Sequence, residues 1–512
     1  MLPLALALLA PAAPPEAPWA EIRVVDAATG RGVPLVELTT TTGVRTVTDS
    51  AGRVAFQEPG LMGRELYFAV RGHGYEVKKD GFGFAGAKVT PTAGAVSTIR
   101  VTRTVAAERL CRLTGEGRFR DTLLLGYPNP LPDSPHPGRV AGQDSVQVAD
   151  YRGKLLWIWG DTSRLDYPLG LFRTAGATTP KFGPDFDPAH GIAFDYFTDP
   201  KTGFARAMIP LAERPEGVVW VFSLCVVPGD DGTDRLLAHY SRRKGLAVEL
   251  EHGIAGYDEA KQVFLPLRQL PAGETWRRPT GHPIPFGEGG TKWLLFGSPT
   301  PNVRVPATAD AVLDPDRYEA FTAARADDPK RPDLGPDGAP RWRWQKALPP
   351  TDSKTERGWV KSGALKPEHA RFCPADAAAP ADRVVLHSGS VRWNAHRKRW
   401  VMLAGQVGGT SNLGEVWYAE SDHPTGPFGT AVKVATHEKM SFYNVCHHPF
   451  LDRAGGREIH FEGTFTHDFS GNPDRVPRYE YNQVLYRLDV DSPLLHAARG
   501  GASPRAASAG GQ

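Results

Sequence analysis

The chain contains the stretch Asp144-Ser-Val-Gln-Val-Ala-Asp-Tyr-Arg-Gly-Lys-Leu-Leu-Trp-Ile-Trp-Gly-Asp161-Thr162. This stretch predicts two short β-strands joined by a tight turn at Tyr151-Arg152-Gly153. Antiparallel pairing brings the start of the first strand beside the end of the second strand. Asp144 and Asp161 should therefore lie at the same edge of the sheet. Two carboxyl groups at one edge are a common arrangement for acid/base work on a glycosidic bond.

Each aspartate alone also fits a structural role. Asp144 could bind backbone N–H groups of a turn, and Asp161 could form a turn with Thr162 or Ser163. The two together, with Trp157 and Trp159 between them, favour a functional pair.

The second strand of this hairpin recurs in weaker form along the chain. Each copy has a basic residue, an apolar strand, a glycine and then a polar residue. The copies are residues 154–161, 292–298, 399–406 and 457–464, and residues 217–223 form a similar apolar strand without the glycine. Strand motifs recurring at intervals of tens of residues are typical of propeller blades with variable loops. The simpler interpretation is a set of ordinary buried strands that end in glycine. The joint recurrence favours the repeat, so we predict an all-β protein with a five-bladed β-propeller.

Length and composition narrow the class of protein. The 512 residues leave room for about two to three domains. The 55 glycines and 46 prolines suit a β protein with many turns. The net charge of +3 comes without a clustered Lys/Arg face, so no nucleic-acid partner is expected.

The N-terminal residues Met1-Leu-Pro-Leu-Ala-Leu-Ala-Leu-Leu-Ala-Pro-Ala-Ala form an apolar run that ends in small residues, as in a secretory signal. The run lacks the usual Lys or Arg before it, and it is too short to span a membrane. We expect residues 1–19 to be a signal peptide or a disordered Ala/Pro-rich leader. Export would make the protein secreted, periplasmic or attached to the cell surface, and no other segment looks transmembrane.

The four cysteines, Cys111, Cys225, Cys373 and Cys446, are far apart in the chain. They form no CxxC pair and no metal-ligand spacing, and they would allow three pairings if oxidised. The expected role is that of buried structural thiols.

Residues 20–104 read as a separate unit of short strands and turns, which predicts a β-sandwich. The segments Asp26-Ala-Ala-Thr-Gly-Arg-Gly-Val-Pro-Leu-Val36 and Thr48-Asp-Ser-Ala-Gly-Arg-Val-Ala-Phe56 resemble the carboxypeptidase regulatory-like domains, a family of prealbumin-like sandwiches. The resemblance implies an accessory domain without catalytic residues. We expect a connector at residues 105–120, the propeller at residues 121–491 with an insertion at 323–366, and a disordered tail at 492–512.

The hairpin that opens the propeller carries a second resemblance. Asp144-Ser-Val followed by Gly153-Lys-Leu-Leu-Trp-Ile-Trp-Gly-Asp161-Thr resembles the first blade of glycoside hydrolase family 183, formerly a domain of unknown function. That family is similar to five-bladed propeller glycosidases and includes endo-D-arabinanases that cut bacterial cell-wall arabinan. The resemblance implies that Asp144 and Asp161 are the catalytic residues. Residues 414–428 also resemble a blade edge that is common in five-bladed glycosidases.

Further candidates for substrate binding lie in the last predicted blade, which abuts the first blade in a closed propeller. Asn444, His447 and Glu462 suit hydrogen bonds to sugar hydroxyls, although each histidine equally fits a satisfied interior position. Tyr443 and Trp159 could stack on sugar faces or fill the space between blades. No strict ligand spacing supports a metal site, and no cofactor is predicted.

Two more charged residues complete the candidate set. Glu415 follows the glycine-rich loop 405–414 and is either an acid near the funnel or a solvated residue of a turn. Arg164 is a candidate for binding substrate. A sialidase-like enzyme would need an arginine triad and a tyrosine nucleophile, and Arg164 with Arg475 does not make a convincing pattern.

These observations predict an exported glycoside hydrolase that acts on a polysaccharide or oligosaccharide, with arabinan as a candidate. One aspartate would protonate the leaving oxygen, and the other would act as the nucleophile or activate water; the sequence leaves the assignment open. The alternative is a non-catalytic carbohydrate-binding propeller at the cell surface, with the sandwich as a spacer.

Overall fold

The structure is a computed structural model that describes residues 19–499 except 132–136, 272 and 274. In this part of the chain, the regular structure is almost entirely β, as the sequence predicts. No helix in the described ranges is long and apolar enough to cross a membrane. The predicted leader, apart from Trp19, and the tail beyond Arg499 lie outside the described residues.

The N-terminal unit contains eight strands. They are β1 (Ala20–Asp26), β2 (Val36–Thr40), β3 (Arg45–Val47), β4 (Arg53–Phe56), β5 (Leu66–Gly72), β6 (Tyr75–Glu76), β7 (Gly86–Val89) and β8 (Val96–Arg103). Their hydrogen-bonded order is β3-β2-β5-β6-β8-β1-β4, and β7 pairs with β5. Side chains from both ends of this order, such as Leu38 of β2 and Val54 of β4, share one hydrophobic cluster.

Five consecutive sheets of four or five strands, and one two-stranded sheet, make up the β-structure of the rest of the described chain. The elements after β8 are β9 (Glu108–Arg112), α1 (Arg120–Leu124), β10 (Val140–Gln143), β11 (Gln147–Tyr151), β12 (Lys154–Trp159), β13 (Thr162–Arg164), β14 (Ala175–Pro180), β15 (Asp195–Tyr196), β16 (Val218–Pro228), β17 (Asp234–Lys244), β18 (Val248–Asp258), β19 (Val263–Gln269), β20 (Ile284–Glu288), β21 (Thr291–Phe296), β22 (Val303–Pro306), α2 (Ala309–Leu313), β23 (Glu319–Thr322), β24 (Arg343–Gln345), α3 (Ser353–Lys361), β25 (Ala375–Asp376), β26 (Leu386–Asn394), β27 (Arg399–Gln406), β28 (Glu415–Ser421), β29 (Thr430–Thr436), β30 (Ser441–His447), β31 (Glu458–Thr466), β32 (Asn482–Asp489) and α4 (His496–Arg499). The five larger sheets are β11-β12-β14-β15, β16-β17-β18-β19, β20-β21-β22-β23-β24, β25-β29-β28-β27-β26 and β30-β31-β32-β9, and the two-stranded sheet is β10-β13.

Hydrophobic clusters join these sheets into a closed ring. Each cluster contains residues of two consecutive sheets, first with second, second with third, third with fourth and fourth with fifth. A further cluster packs Trp157 of the first sheet against Leu485 of the last sheet. Sheets that pack face to face around a ring are the blades of a β-propeller.

The recurring glycine-ended strand is the second strand of its blade. Residues of β12, β21, β27 and β31 carry the four copies of the motif, and each of these strands pairs with an edge strand of its sheet, namely β11, β20, β26 or β30. On β12, Leu156 and Ile158 face the second blade, while Trp157 and Trp159 face the last blade. A strand that is buried on both faces needs a continuous apolar run, which explains why the motif stands out in the sequence. The fifth apolar segment, residues 217–223, falls in β16, which is a first strand instead.

Two predicted loop regions contain regular structure. The expected connector at residues 105–120 contains β9, which pairs with β32 and completes the last blade, so that an early strand closes the ring. The expected insertion at 323–366 contains β24, the fifth strand of the third sheet, and α3, whose Trp359 packs with Leu365 in a small cluster of its own.

The N-terminal unit packs firmly against the last blade. The guanidinium of Arg109 is fully buried, and it donates to the carbonyl oxygens of Pro34 at 2.9 Å and His73 at 2.7 Å. Leu35 belongs to the same hydrophobic cluster as Phe442 of β30. The hydroxyl of Tyr479 donates to the Thr48 carbonyl at 2.9 Å. Through these contacts the N-terminal unit stabilises the last blade.

Candidate active site

Asp144 and Asp161 face each other between two short strand ladders. The β10–β13 ladder ends with Gln143 opposite Thr162, and the β11–β12 ladder begins with Gln147 opposite Ile158. Across the gap, the Asp144 N–H donates to the Asp161 carbonyl at 3.2 Å. The antiparallel path therefore continues through both aspartates and holds them at one edge.

The Asp144 carboxyl is surrounded by donors. Its Oδ1 accepts from the Asp161 backbone N–H at 2.9 Å, and its Oδ2 accepts from the Tyr443 hydroxyl at 3.0 Å. The Tyr481 hydroxyl also hydrogen-bonds to Asp144. A Cβ at Gly160 would lie 2.3 Å from Asp144 Oδ1, so only glycine leaves room for the carboxyl at this point of the motif.

Asp161 has a different environment. Its Oδ1 accepts from the indole N–H of Trp220 on the second blade at 3.1 Å. Asp161 is half-buried, as is Asp144. A site for a soluble substrate needs this combination of restrained geometry and access.

The two carboxyl groups differ in how strongly they hold a proton. Burial and then the nearby charge of Asp161 raise the pKa of Asp144 to about 7. Burial also raises the pKa of Asp161 above its ordinary value of 3.8, and the Trp220 hydrogen bond opposes that rise. Near neutral pH the pair can therefore hold one proton, which Asp144 carries more readily.

The first strands of neighbouring blades bring more polar groups to this point. Asn444 of β30 donates from Nδ2 to Ser145 Oγ, and its backbone N–H donates to Ser388 Oγ on β26 at 3.1 Å. Asn444 and Ser145 both have left-handed backbone conformations, with φ of 55° and 58°. The pairing register of β30 with β31 also shifts between Tyr443 and Cys446. This bulge turns the strand and brings Tyr443 and Asn444 beside the first blade.

Three predicted substrate-binding residues contact other protein groups. Trp159 is only 1% exposed and packs against Trp157 and Tyr196 in the core between blades, which leaves no ring face for a sugar. The guanidinium of Arg164 pairs with Asp166 at 2.7 Å. Glu415 is buried rather than solvated, and it accepts from Lys433 Nζ at 2.6 Å.

The two predicted residues deeper in the last blade bind protein groups. His447 is buried, and its Nε2 lies 3.0 Å from Oδ1 of Asp452. Glu462 is also buried, and its Oε1 lies 2.6 Å from His448 Nε2. These contacts pair one polar atom of each side chain with a protein group, and binding of sugar hydroxyls by His447 and Glu462 stays a prediction. Of the predicted binding residues, Tyr443 and Asn444 are the two beside Asp144 and Ser145.

Sequence reasoning missed Tyr481 and Trp220, which contact the two carboxyl groups. Trp220 lies in the apolar segment 217–223, which predicts a strand, but the orientation of its ring depends on how the first and second blades pack. Tyr481 precedes β32, and no motif marks it.

One group of side chains in the described chain has the spacing of a metal site. Ligand atoms of His467, Asp468 and Glu480 lie within 4.8 Å of one another. His467 Nδ1 already lies 2.7 Å from Glu480 Oε1, a hydrogen bond that explains the grouping without an ion.

Comparisons with known proteins give a remote similarity to glycoside hydrolases. No family model and no curated protein matches the chain. Among solved structures, an exo-β-1,3-galactanase from Phanerochaete chrysosporium is 8% identical and aligns with a TM-score of 0.34 over 69% of this chain and 61% of that enzyme. An endo-1,5-α-L-arabinanase from Thermotoga petrophila is 13% identical, with a TM-score of 0.33 over 68% of this chain and 71% of that one. An α-L-arabinanase from Penicillium chrysogenum is 10% identical, with a TM-score of 0.32 over 76% and 99%. Similarity at this level carries no argument about activity, which has to come from the site.

Proposed function

We propose that this protein is a glycoside hydrolase in which Asp144 is the general acid and Asp161 is the nucleophile or general base. The proposal is supported above all by the contact between Asp144 Oδ1 and the Asp161 N–H at 2.9 Å, which holds two half-buried carboxyl groups at one edge of the sheet. Glycoside hydrolysis requires one protonated and one ionised carboxyl group at the same bond.

The environments of the two aspartates support the assignment of roles. Asp144, with its pKa raised to about 7 by burial and by Asp161, retains a proton that it can donate to the leaving oxygen. The indole N–H of Trp220 stabilises the ionised form of Asp161. Tyr443 steadies the Asp144 carboxyl, and Asn444 offers an amide next to it on the side of the last blade.

We propose a furanose-containing polysaccharide as the substrate, with arabinan first. This choice rests on the resemblance of residues 144–162 to the first blade of glycoside hydrolase family 183. We also propose export, on the basis of the apolar N-terminal run. Export with cleavage of this run predicts that protein recovered outside the cell has a shortened N-terminus. We retain the assignment of residues 20–104 as a regulatory-like β-sandwich without catalytic residues.

The test is incubation of the purified protein with a panel of arabinans and other furanose- and pyranose-containing polymers, with release of reducing ends as the readout. We expect cleavage of at least one polymer, with kcat/KM falling as the pH rises through about 7, because Asp144 then loses its proton. Binding of a glycan without cleavage would favour the carbohydrate-binding propeller instead. The anomeric form of the first product, followed by NMR, would decide between nucleophile and base for Asp161.

A further inference from the structure

A cavity lies along the first strands of several blades, away from the aspartate pair. Its volume is about 360 Å³, and its lining includes Val148, Asp150, His282, Arg392, Cys446 and His448. Asp144 precedes β11, whereas Asp150 lies near the end of that strand. The cavity is therefore displaced along β11 toward the opposite end from Asp144.

Cys446 lies in this cavity between two imidazoles. Its Sγ is 3.6 Å from His282 Nδ1 and 3.9 Å from His448 Nδ1. The register shift between Tyr443 and Cys446 brings Cys446 opposite Glu462 on β31. The same irregularity that turns Tyr443 toward Asp144 thus also sets the position of the thiol.

Glu462 and two aromatic rings hold His448 in place. Glu462 Oε1 lies 2.6 Å from His448 Nε2, and both side chains are almost fully buried. The ring of Trp157 meets the imidazole edge-on with centroids 5.5 Å apart, and that of Phe450 lies at 5.1 Å. The order thiol, imidazole, carboxylate is that of a cysteine nucleophile, its base and the group that orients the base.

The charges around Cys446 favour the thiolate. Burial opposes ionisation, but the charges of His282 and then His448 outweigh it, so the pKa of Cys446 falls well below its ordinary value of 9.0. Burial lowers the pKa of His448, yet Cys446 and Glu462 together raise it to about 10. Arg392 adds a further positive charge that interacts with Cys446. By contrast, burial raises the pKa of Cys111, Cys225 and Cys373 to about 12 in each case.

We propose that Cys446, His448 and Glu462 form a second catalytic site, separate from the aspartate pair, that transfers small acyl groups from esters to water. The Cys446 thiolate attacks the ester carbonyl, the C–O bond breaks, and His448 gives its proton to the departing alkoxide. Water then attacks the thioester and returns a proton to His448. The C–S bond breaks, the acid is released, and Cys446 is again a thiolate. The volume of about 360 Å³ suits a small acyl ester, and Arg392 offers positive charge to the carbonyl oxygen.

Cys446 and its two histidines have the residue types of a metal site, but their geometry disfavours a preformed metal centre. Among the residues that the structure describes, only His467, Asp468 and Glu480 bring three such ligand atoms within 4.8 Å of one another. Cys446 with its two histidines does not meet this condition.

The test uses the full-length protein and p-nitrophenyl acetate at pH 6 to 7. We expect nitrophenol release and, in protein quenched early, an acetyl group on the peptide that contains Cys446. Iodoacetamide at pH 6 should alkylate Cys446 at least about 10²-fold faster than any of the other three cysteines, because those remain protonated. This second measurement needs no variant, so it holds even if substitutions in the buried triad impair folding.

Variants distinguish catalysis by the triad from uncatalysed acetylation of an accessible thiol. His448→Gln and the milder Glu462→Gln should lower acetyl transfer by on the order of 10²-fold, because the proton donor is lost or misoriented. Cys225→Ser, which alters a buried cysteine of the second blade, is the matched control and should leave the acetyl transfer rate unchanged. Absence of acetylation on Cys446, or equal labelling of all four cysteines at pH 6, would overturn the proposal. These outcomes do not depend on whether the aspartate pair cleaves glycans.

Discussion

Replacing Asp144 with asparagine should stabilise the protein at pH 8 while it removes glycan cleavage. In the folded protein, burial and Asp161 raise the pKa of this carboxyl from 3.8 to about 7. The folded state therefore binds more protons than the unfolded chain between pH 4 and 7, so stability falls as the pH rises through that window. Asparagine keeps the shape and a carbonyl acceptor but removes the ionisation.

The size of the effect follows from the pKa difference. A rise from 3.8 to about 7 corresponds to about 4 kcal/mol in the free energy of unfolding above pH 7. Asp144 is partly exposed and solvent screens its charge, so we expect a measured gain of about 1–3 kcal/mol at pH 8. Below pH 4 both states hold the proton, and the gain should disappear.

The assay is urea unfolding of the wild type and Asp144→Asn at pH 4 and pH 8. Asp195→Asn is the matched control, because Asp195 is an exposed carboxyl on β15, the outermost strand of the same blade. That control should change stability by less than about 0.5 kcal/mol at both pH values. Destabilisation of Asp144→Asn at pH 8 would refute the reasoning, since it would mean that the ionised carboxyl holds the turn together.

Four further outcomes follow from the geometry. Gly160→Ala should lower the cleavage rate at least about tenfold and destabilise the folded protein by about 1–3 kcal/mol, because the added Cβ would lie 2.3 Å from Asp144 Oδ1. Gly183→Ala is the control for both assays, because a Cβ there would have no atom within 4 Å. Trp220→Phe removes the donor to Asp161, so the pKa of Asp161 should rise and the acidic limb of the kcat/KM profile should move to higher pH; an unmoved limb would dissociate Trp220 from the chemistry. Trp159→Ala should cost about 3–5 kcal/mol in chemical denaturation, and a small loss of stability with a large rise in KM would restore its sugar-binding role. Removal of residues 1–105 should lower Tm markedly, since Arg109 loses its carbonyl partners; a truncated protein as stable as the full chain would show that the N-terminal unit is dispensable.

The sequence predicted the parts of this molecule that depend on local pattern. The hairpin at Asp144 and the second strand of four blades were readable, because strands that are buried on both faces need unbroken apolar runs. The proximity of Asp144 to Asp161 follows from the antiparallel pairing of the two strands. The strand that completes the last blade was not readable, because β9 pairs with a strand more than 370 residues away in the chain.

The surroundings of the candidate site residues depend on contacts between distant parts of the chain, which the sequence does not show. Glu462 and His447 have the residue types of a sugar-binding site, and the fold buries them beside His448 and Asp452, which the sequence does not reveal. Trp159 alternates with Ile158 on a strand whose two faces are both buried, so the sequence could not tell a core ring from a sugar platform. Tyr481 approaches Asp144 only because the last blade abuts the first.

The central claim is that Asp144 and Asp161 act together on a glycosidic bond. The most direct measurement compares the rate of glycan cleavage at pH 6 for the wild type, Asp144→Asn, Asp161→Asn and Asp195→Asn, with folding verified for each by circular dichroism. The account predicts that each of the first two variants loses about 10²–10⁴-fold in rate, while Asp195→Asn keeps the wild-type rate. Cleavage at the wild-type rate by folded Asp144→Asn or Asp161→Asn would contradict it.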